Sequence, residues 1–122
     1  MQRAAEGLEH IRYAMRLSPR EPNRAYWLMF ECNAQLELGR YQEAIESCRR
    51  STSLNPGYTH GWAGLVAATA LSGKIDEAHT HLAKLKALVP HLPHEALVAR
   101  FGGHKAYPAR VREGLQLALK AQ

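Results

Sequence analysis

The sequence predicts an all-α fold, an α-solenoid of antiparallel helix-turn-helix repeats. Pro19, Pro56 and Pro90 each close a similar segment: an Ala or Gly, a mostly apolar position four residues later, and a short run ending in Leu or Val before the proline. Pro56 and Pro90 lie 34 residues apart, a length that accommodates two helices, and such hairpins bury their apolar faces only by stacking. We expect about two to two and a half repeats followed by a C-terminal capping helix.

The first predicted helix covers residues 2–17. Leu8 and Ile11 are part of an apolar series at helical spacing, and Pro19 stops the helix because its ring disfavours helix at the preceding residue. We interpret residues 2–19 as the second helix of a partial repeat.

A full repeat is predicted over residues 22–56. Asn23 is suited to cap a helix that runs to Leu38, and Gly39 is suited to end it in a left-handed conformation. The partner helix spans residues 41–54 and stops at an Asn-Pro-Gly turn.

The next repeat is predicted over residues 57–90, with helices at 59–71 and 75–88 joined at Gly73. Its first helix is rich in Gly and Ala, which permits close approach of neighbouring helices. Residues 91–122 hold a short helix, a Gly-Gly break and a final helix that is expected to cover the apolar face of the last repeat. The chain, residues 1–122, is thus predicted to be a single domain.

Composition excludes several functional classes. The longest nearly apolar stretch, residues 65–71, is far shorter than the roughly 20 residues that cross a bilayer, and the N-terminus lacks an apolar signal core. We therefore expect a cytoplasmic chain without a membrane partner. The net charge of +5 is dispersed, with only Arg49-Arg50 adjacent, so a solvated basic surface is favoured over a nucleic-acid site.

Residues for catalysis or metal binding are not found at the required spacings. The seven histidines do not match metal-ligand patterns, and the chain has no phosphate-binding loop or nucleophile elbow. We predict no enzyme activity, no catalytic residue, no metal site and no cofactor. Cys32 and Cys48 lie about two turns on either side of Gly39, which places them opposite each other, and we expect buried free thiols rather than a disulfide.

The repeat resembles the tetratricopeptide repeat over about residues 4–90. The best match carries Trp62, Leu65, Ala78, Leu82 and Pro90 in the family's pattern positions. The first helix of the preceding unit matches less well, and its pattern positions hold Leu28, Glu31, Cys32 and Gln35.

A narrower resemblance is to the C-terminal tetratricopeptide region of bacterial multidomain signalling proteins. It is carried by residues 15–22, 27–28, 38–45, 49–51, 54–57 and 112–118. In such proteins the repeats follow a class III adenylate or guanylate cyclase domain or a winged-helix DNA-binding domain, so this resemblance implies that the chain is a piece of a longer protein. Neither activity is expected of these residues themselves.

The family resemblance also implies a binding groove on the concave face, which the first helix of each hairpin lines. The residues that align with this groove are Tyr26, Met29, Asn33, Leu36, Glu37, His60, Ala63 and Ala67, with His94, Leu97 and Phe101 as a further extension. Members that clamp a peptide C-terminus use Lys, Asn and Arg there. Because only Asn33 is of that type, we expect a mostly apolar groove without such a clamp. The sequence leaves open whether this groove is exposed or is covered by the C-terminal residues or by an upstream helix.

We expect the chain to serve as a non-catalytic scaffold that binds a protein or peptide partner and regulates an attached signalling domain. Two alternatives stay open. The basic solenoid could bind nucleic acid, in which case affinity would fall steeply with salt. The helix at residues 2–17 could pack on a second copy and form a homodimer.

Overall fold

The computed structural model describes residues 2–17, 23–101 and 108–121, and these form seven α-helices. The helices are α1 Gln2–Leu17, α2 Arg24–Glu37, α3 Tyr41–Leu54, α4 Thr59–Leu71, α5 Ile75–Leu88, α6 His94–Phe101 and α7 Pro108–Lys120. The predicted all-α solenoid is confirmed, with α2–α3 and α4–α5 as its two hairpins. The residues between the first two predicted helices, 18–22, and the Gly-Gly break at 102–103 lie outside the described residues.

The repeat is visible in the backbone hydrogen bonds of the hairpin turns. In the first turn, Gly39 N–H donates to the Leu36 carbonyl, and in the second, Gly73 N–H donates to the Ala70 carbonyl, each at 3.0 Å. Both glycines adopt positive φ, 75° and 82°, which a residue with a side chain rarely takes. Donor and acceptor shift together by 34 residues, so the sequence period is also the structural period.

Helix α4 lies at the centre of the molecule. Every residue from Ala63 to Ala70 is buried, because α2 and α3 pack on one side of the helix, α5 on another and α7 on a third. A helix that is apolar on all faces is stable only inside such a shell. The run of small residues therefore allows α4 to have neighbours on every side.

Cys32 of α2 and Cys48 of α3 form a disulfide, with their Cα atoms 5.5 Å apart. The predicted opposition of the two residues is confirmed, whereas the expectation of free thiols is wrong for this structure. The two helices cross closely enough at these positions for the sulfur atoms to bond. Gly64 of α4 lies directly over the bond, and a Cβ at this position would approach within 2.5 Å of the Cys48 sulfur.

A polar cluster of four side chains links α1, α2 and α3: Glu31, Gln35 and Ser47, which are buried, and Arg12, which is exposed. Glu31 accepts hydrogen bonds from Ser47 Oγ at 2.7 Å and from Arg12 Nε at 3.1 Å. Because the Ser47 hydroxyl has only one proton to donate, Gln35 fits best with its amide nitrogen donating to Ser47 Oγ at 2.8 Å and its oxygen accepting from Arg12 Nη2 at 3.3 Å. Each polar group in this interface is thereby paired.

Helix starts differ from the sequence expectation at one point. Asn23 occupies the N-cap position of α2, but its side chain makes no capping hydrogen bond.

The apolar face of α1, which includes Ala4, Leu8 and Ile11, is buried, and Ala4 and Leu8 pack with Ala34 of α2. None of the described helices is both long and apolar enough to cross a membrane.

Candidate functional site

The predicted binding groove lies on the face formed by α2 and α4, the first helices of the two hairpins. Of its eight predicted residues, Tyr26 is 43% exposed, while Glu37 and His60 are half-buried. The remaining five are buried: Met29, Asn33, Leu36, Ala63 and Ala67. Those five side chains are not accessible to a partner in this conformation, so the accessible part of the predicted set is Tyr26, Glu37 and His60.

Helix α7 covers the middle of this face. It packs mainly on α4, with further contacts to α2, α6 and α5. The closest approach is at Gly114, where an added Cβ would lie 2.6 Å from both the Cβ and the carbonyl oxygen of Ala67. The sequence predicts that this helix covers the apolar face of the last repeat, and in the structure most of its contacts are to α4, the first helix of that repeat. The chain thus fills part of its own groove.

Two polar contacts hold the ends of α7 in place. The backbone N–H of Arg110, in the first turn of α7, donates to Glu37 Oε1 at 3.1 Å. This places a carboxylate where the first turn has unpaired N–H groups and a positive dipole end. Near the other end, His79 Nε2 of α5 lies 3.2 Å from the Ala118 carbonyl oxygen. Glu37, predicted as a groove residue, therefore binds α7.

The part of the groove farthest from Glu37 is aromatic. Tyr26 begins this region about 16 Å from Glu37 along α2, as the helical rise of 1.5 Å per residue requires. The ring centroids of Tyr26 and Tyr58 are 6.3 Å apart, and those of Tyr58 and His60 are 5.7 Å apart. The His60 and Phe101 rings meet in a T-shaped arrangement with their centroids 5.0 Å apart. We call Tyr26, Tyr58, His60 and Phe101 the aromatic row; Tyr26 is exposed, Tyr58 and His60 are half-buried, and Phe101 is buried beneath His60. It joins α2, the loop before α4, α4 and α6.

Tyr58 is a member of the row that sequence reasoning missed. It immediately precedes α4, and the groove prediction counted only positions inside the helices. Its position directly after the Asn-Pro-Gly turn was the available signal. Burial, with a smaller contribution from Tyr26, raises the pKa of Tyr58 to about 12. The hydroxyl therefore stays protonated at neutral pH and can donate a hydrogen bond.

Asn33 lies between α2 and α4 and has an unusual environment. Its Nδ2 donates to the Met29 sulfur at 3.0 Å, but its buried Oδ1 has no hydrogen-bond partner among the described residues. An unpaired buried amide oxygen costs about 1–3 kcal/mol. Gly64, the neighbouring position at which clamp-type members carry a basic residue, faces the disulfide and has no room for a side chain.

The remaining site predictions concern metals and self-association. Within residues 2–17, 23–101 and 108–121, no three His, Cys, Asp or Glu side chains come together in a way that could hold a metal ion. The helix at residues 2–17, which the sequence left open as a dimer contact, has Glu6, Glu9, His10 and Tyr13 exposed. Its apolar face is already packed on α2.

Stacked helical hairpins with a concave face define the chain as a helical-repeat solenoid, a class whose extended surfaces bind other molecules. The family model of the tetratricopeptide repeat matches residues 35–101, which is more than half of the chain. The chain therefore belongs to the tetratricopeptide repeat family, whose repeats generally mediate protein–protein interactions and typically form non-catalytic scaffolds. A search of curated proteins found no significant match.

Proposed function

We propose that this chain is a non-catalytic module that binds a protein partner through the aromatic row. The observation that carries the proposal is the 43% exposure of Tyr26, which lies at the opposite end of α2 from Glu37, the residue that binds the first turn of α7. Tyrosine combines a large rigid apolar surface with a polar hydroxyl, which makes it a frequent anchor in protein interfaces.

The row favours a peptide that carries an apolar or aromatic side chain. The Tyr26 ring meets Phe30 edge-on at 4.6 Å and Trp27 at 5.8 Å, so its position is fixed before a partner binds. A pre-ordered aromatic surface loses little side-chain entropy on binding. The protonated Tyr58 hydroxyl adds a hydrogen-bond donor beside it.

The wider setting of this module is also part of the proposal. The resemblance of residues 38–45 and 54–57 to the C-terminal repeats of bacterial signalling proteins supports a cytoplasmic regulatory role next to a signalling domain. The native reading frame upstream of Met1 tests this point. A frame that encodes no cyclase, winged-helix or other signalling domain would contradict it.

A peptide-display selection against the immobilised chain tests the binding site. We expect enriched peptides to contain an aromatic or large apolar residue and to lose at least about tenfold in affinity when Tyr26 is changed to Ala. The matched control is Tyr13→Ala, which removes a tyrosine that is 57% exposed on α1. Peptides that bind wild type and Tyr26→Ala equally would contradict the proposal.

A further inference from the structure

Five arginines that are dispersed in the sequence converge on the surface formed by α1, α2 and α3. One cleft of about 390 Å³ is lined by Arg12, Met15, Arg16 and Arg24. A neighbouring cleft of about 350 Å³ is lined by Arg24, Glu46, Arg49, Arg50, Ser53 and Leu54. Arg24 borders both clefts, so the two form one continuous surface. We call Arg12, Arg16, Arg24, Arg49 and Arg50 the arginine surface.

Two members of this surface are already paired with carboxylates. Arg12 Nε lies 3.1 Å from Glu31, and Arg49 lies 3.6 Å from Glu46. For Arg16, Arg24 and Arg50, no carboxylate of the described residues lies within ion-pair distance; these three account for the excess positive charge of the surface.

Local structure adds to the positive potential at the shared position. Arg24 is the first residue of α2, where the helix dipole places partial positive charge. Arg16 lies over the Tyr13 ring at 5.9 Å, which restrains the guanidinium group without neutralising it. The surface is therefore both charged and partly ordered before a ligand binds.

Apolar side chains lie among the arginines. Leu54 is 58% exposed in the second cleft, and Met15 is half-buried in the first. A ligand that matches this surface needs acidic groups for the guanidinium groups and at least one apolar side chain for Leu54. Arginine forms paired hydrogen bonds with carboxylates, which gives such a contact directional specificity.

We propose that the arginine surface binds an acidic polypeptide segment that contains large apolar residues. A nucleic acid matches it less well, because no aromatic ring of the described residues lines either cleft, whereas Met15 and Leu54 do. Single-stranded nucleic acids use exposed aromatic rings as stacking surfaces. The surface involves no residue of the aromatic row, so the inference goes beyond the proposed function and does not depend on it.

Fluorescence anisotropy with a labelled peptide of repeated Glu-Glu-Leu triplets tests this assignment. We expect R16E/R24E to raise the Kd by at least about tenfold and Leu54→Ala by about threefold. The control K84E/R112E makes the same change in net charge at exposed positions of α5 and α7, and it is expected to change the Kd by less than about twofold. R16Q/R24Q gives the same test if charge reversal impairs folding, which circular dichroism monitors.

Three results would overturn the proposal. The first is that a peptide of repeated Gln-Gln-Leu triplets binds with the same affinity as the acidic peptide. The second is that K84E/R112E loses as much affinity as R16E/R24E. The third is that oligothymidylate of equal length binds more tightly than the peptide and that this binding is lost in R16E/R24E. Tyr26→Ala is expected to leave the acidic peptide's affinity unchanged, which separates this surface from the aromatic row. A loss of the acidic peptide's affinity in Tyr26→Ala would show that the arginine surface and the aromatic row are one site.

Discussion

The two hairpins have the same backbone geometry at their turns, but different side chains fill their interiors. Their turns make the same hydrogen bonds 34 residues apart. Between α2 and α3, the structure places a disulfide and the buried Glu31 and Ser47. Both hairpins bury large apolar side chains, such as Leu36 in the first and Leu82 in the second, but among the described residues the second has no disulfide and no buried carboxylate. The same repeat backbone therefore forms around a core with buried polar groups and a disulfide as well as around an apolar core.

The difference between the two interiors shows which side chains the positions of the repeat pattern can accept. A polar residue in an apolar position is tolerated when every hydrogen-bonding group finds a partner, and Glu31 has both Ser47 and Arg12. This explains why the first helix of the α2–α3 unit matches the family pattern less well yet adopts the same geometry. Stability should accordingly depend on packing in the second hairpin and on specific bonds in the first.

Leu82→Ala should have the largest effect, because it opens a cavity in the apolar hairpin. Leu82 is fully buried, and such truncations cost about 2–5 kcal/mol. Leu88→Ala is the matched control on the same helix, since Leu88 is 41% exposed, and it should cost less than about 1 kcal/mol. Urea unfolding followed by circular dichroism measures both. Similar losses for the two variants would contradict the packing argument.

Replacing both Cys32 and Cys48 with Ala should have the next largest effect, on the first hairpin. The two residues are 16 positions apart, and closing a loop of that size stabilises a fold by about 3 kcal/mol in the chain-entropy description. Urea unfolding of the oxidised wild type and the variant measures this difference, and adding reductant should remove most of it.

The state of the cysteines has an independent check. We expect iodoacetamide to leave Cys32 and Cys48 unmodified in denaturant until the protein is reduced, as read by mass spectrometry. Full modification without reduction would show that the purified chain has free thiols. The two hairpins would then differ only in polarity and not in covalent structure.

Much of the fold follows from local sequence signals. Gly39 and Gly73 mark the two turns because each adopts positive φ, and the opposition of Cys32 and Cys48 follows from helical geometry once the turn is placed. The disulfide itself did not follow, because spacing brings two thiols together without deciding their oxidation state.

The candidate site was less predictable, because it depends on contacts between distant segments. That Gly114 packs on Ala67 is not encoded in the periodicity of either helix, so the sequence left open whether the groove is exposed or covered, and the structure places α7 over part of it. Tyr58 was missed since it lies in a loop. Arg16, Arg24 and Arg50 are dispersed in the sequence and converge only when α1, α2 and α3 pack together.

Glu31→Ala tests the polar interior of the first hairpin and should have a smaller effect. It leaves the Ser47 hydroxyl and Arg12 without their carboxylate partner, which costs about 2 kcal/mol. Glu46→Ala is the matched control, because Glu46 forms an exposed ion pair with Arg49 on one helix and should contribute less than about 0.5 kcal/mol. Unfolding free energies that do not separate the two variants would contradict the role of the polar cluster.

The smallest effect is expected from His81, where the two hairpins influence each other electrostatically. Burial lowers the pKa of His81 below its usual 6.5, Glu77 opposes this shift, and Arg49 of α3 adds to it. The folded chain therefore binds the proton less readily than the unfolded chain, so the stabilisation is complete above about pH 6.5 and is lost as the pH falls through the folded pKa. His81→Gln should flatten this acid loss in urea unfolding, while Glu77→Gln should steepen it by removing the carboxylate that favours the charged ring. An unchanged pH dependence in His81→Gln would show that His81 does not contribute to the acid loss, and a shallower loss in Arg49→Gln would show that the charge of the first hairpin reaches it.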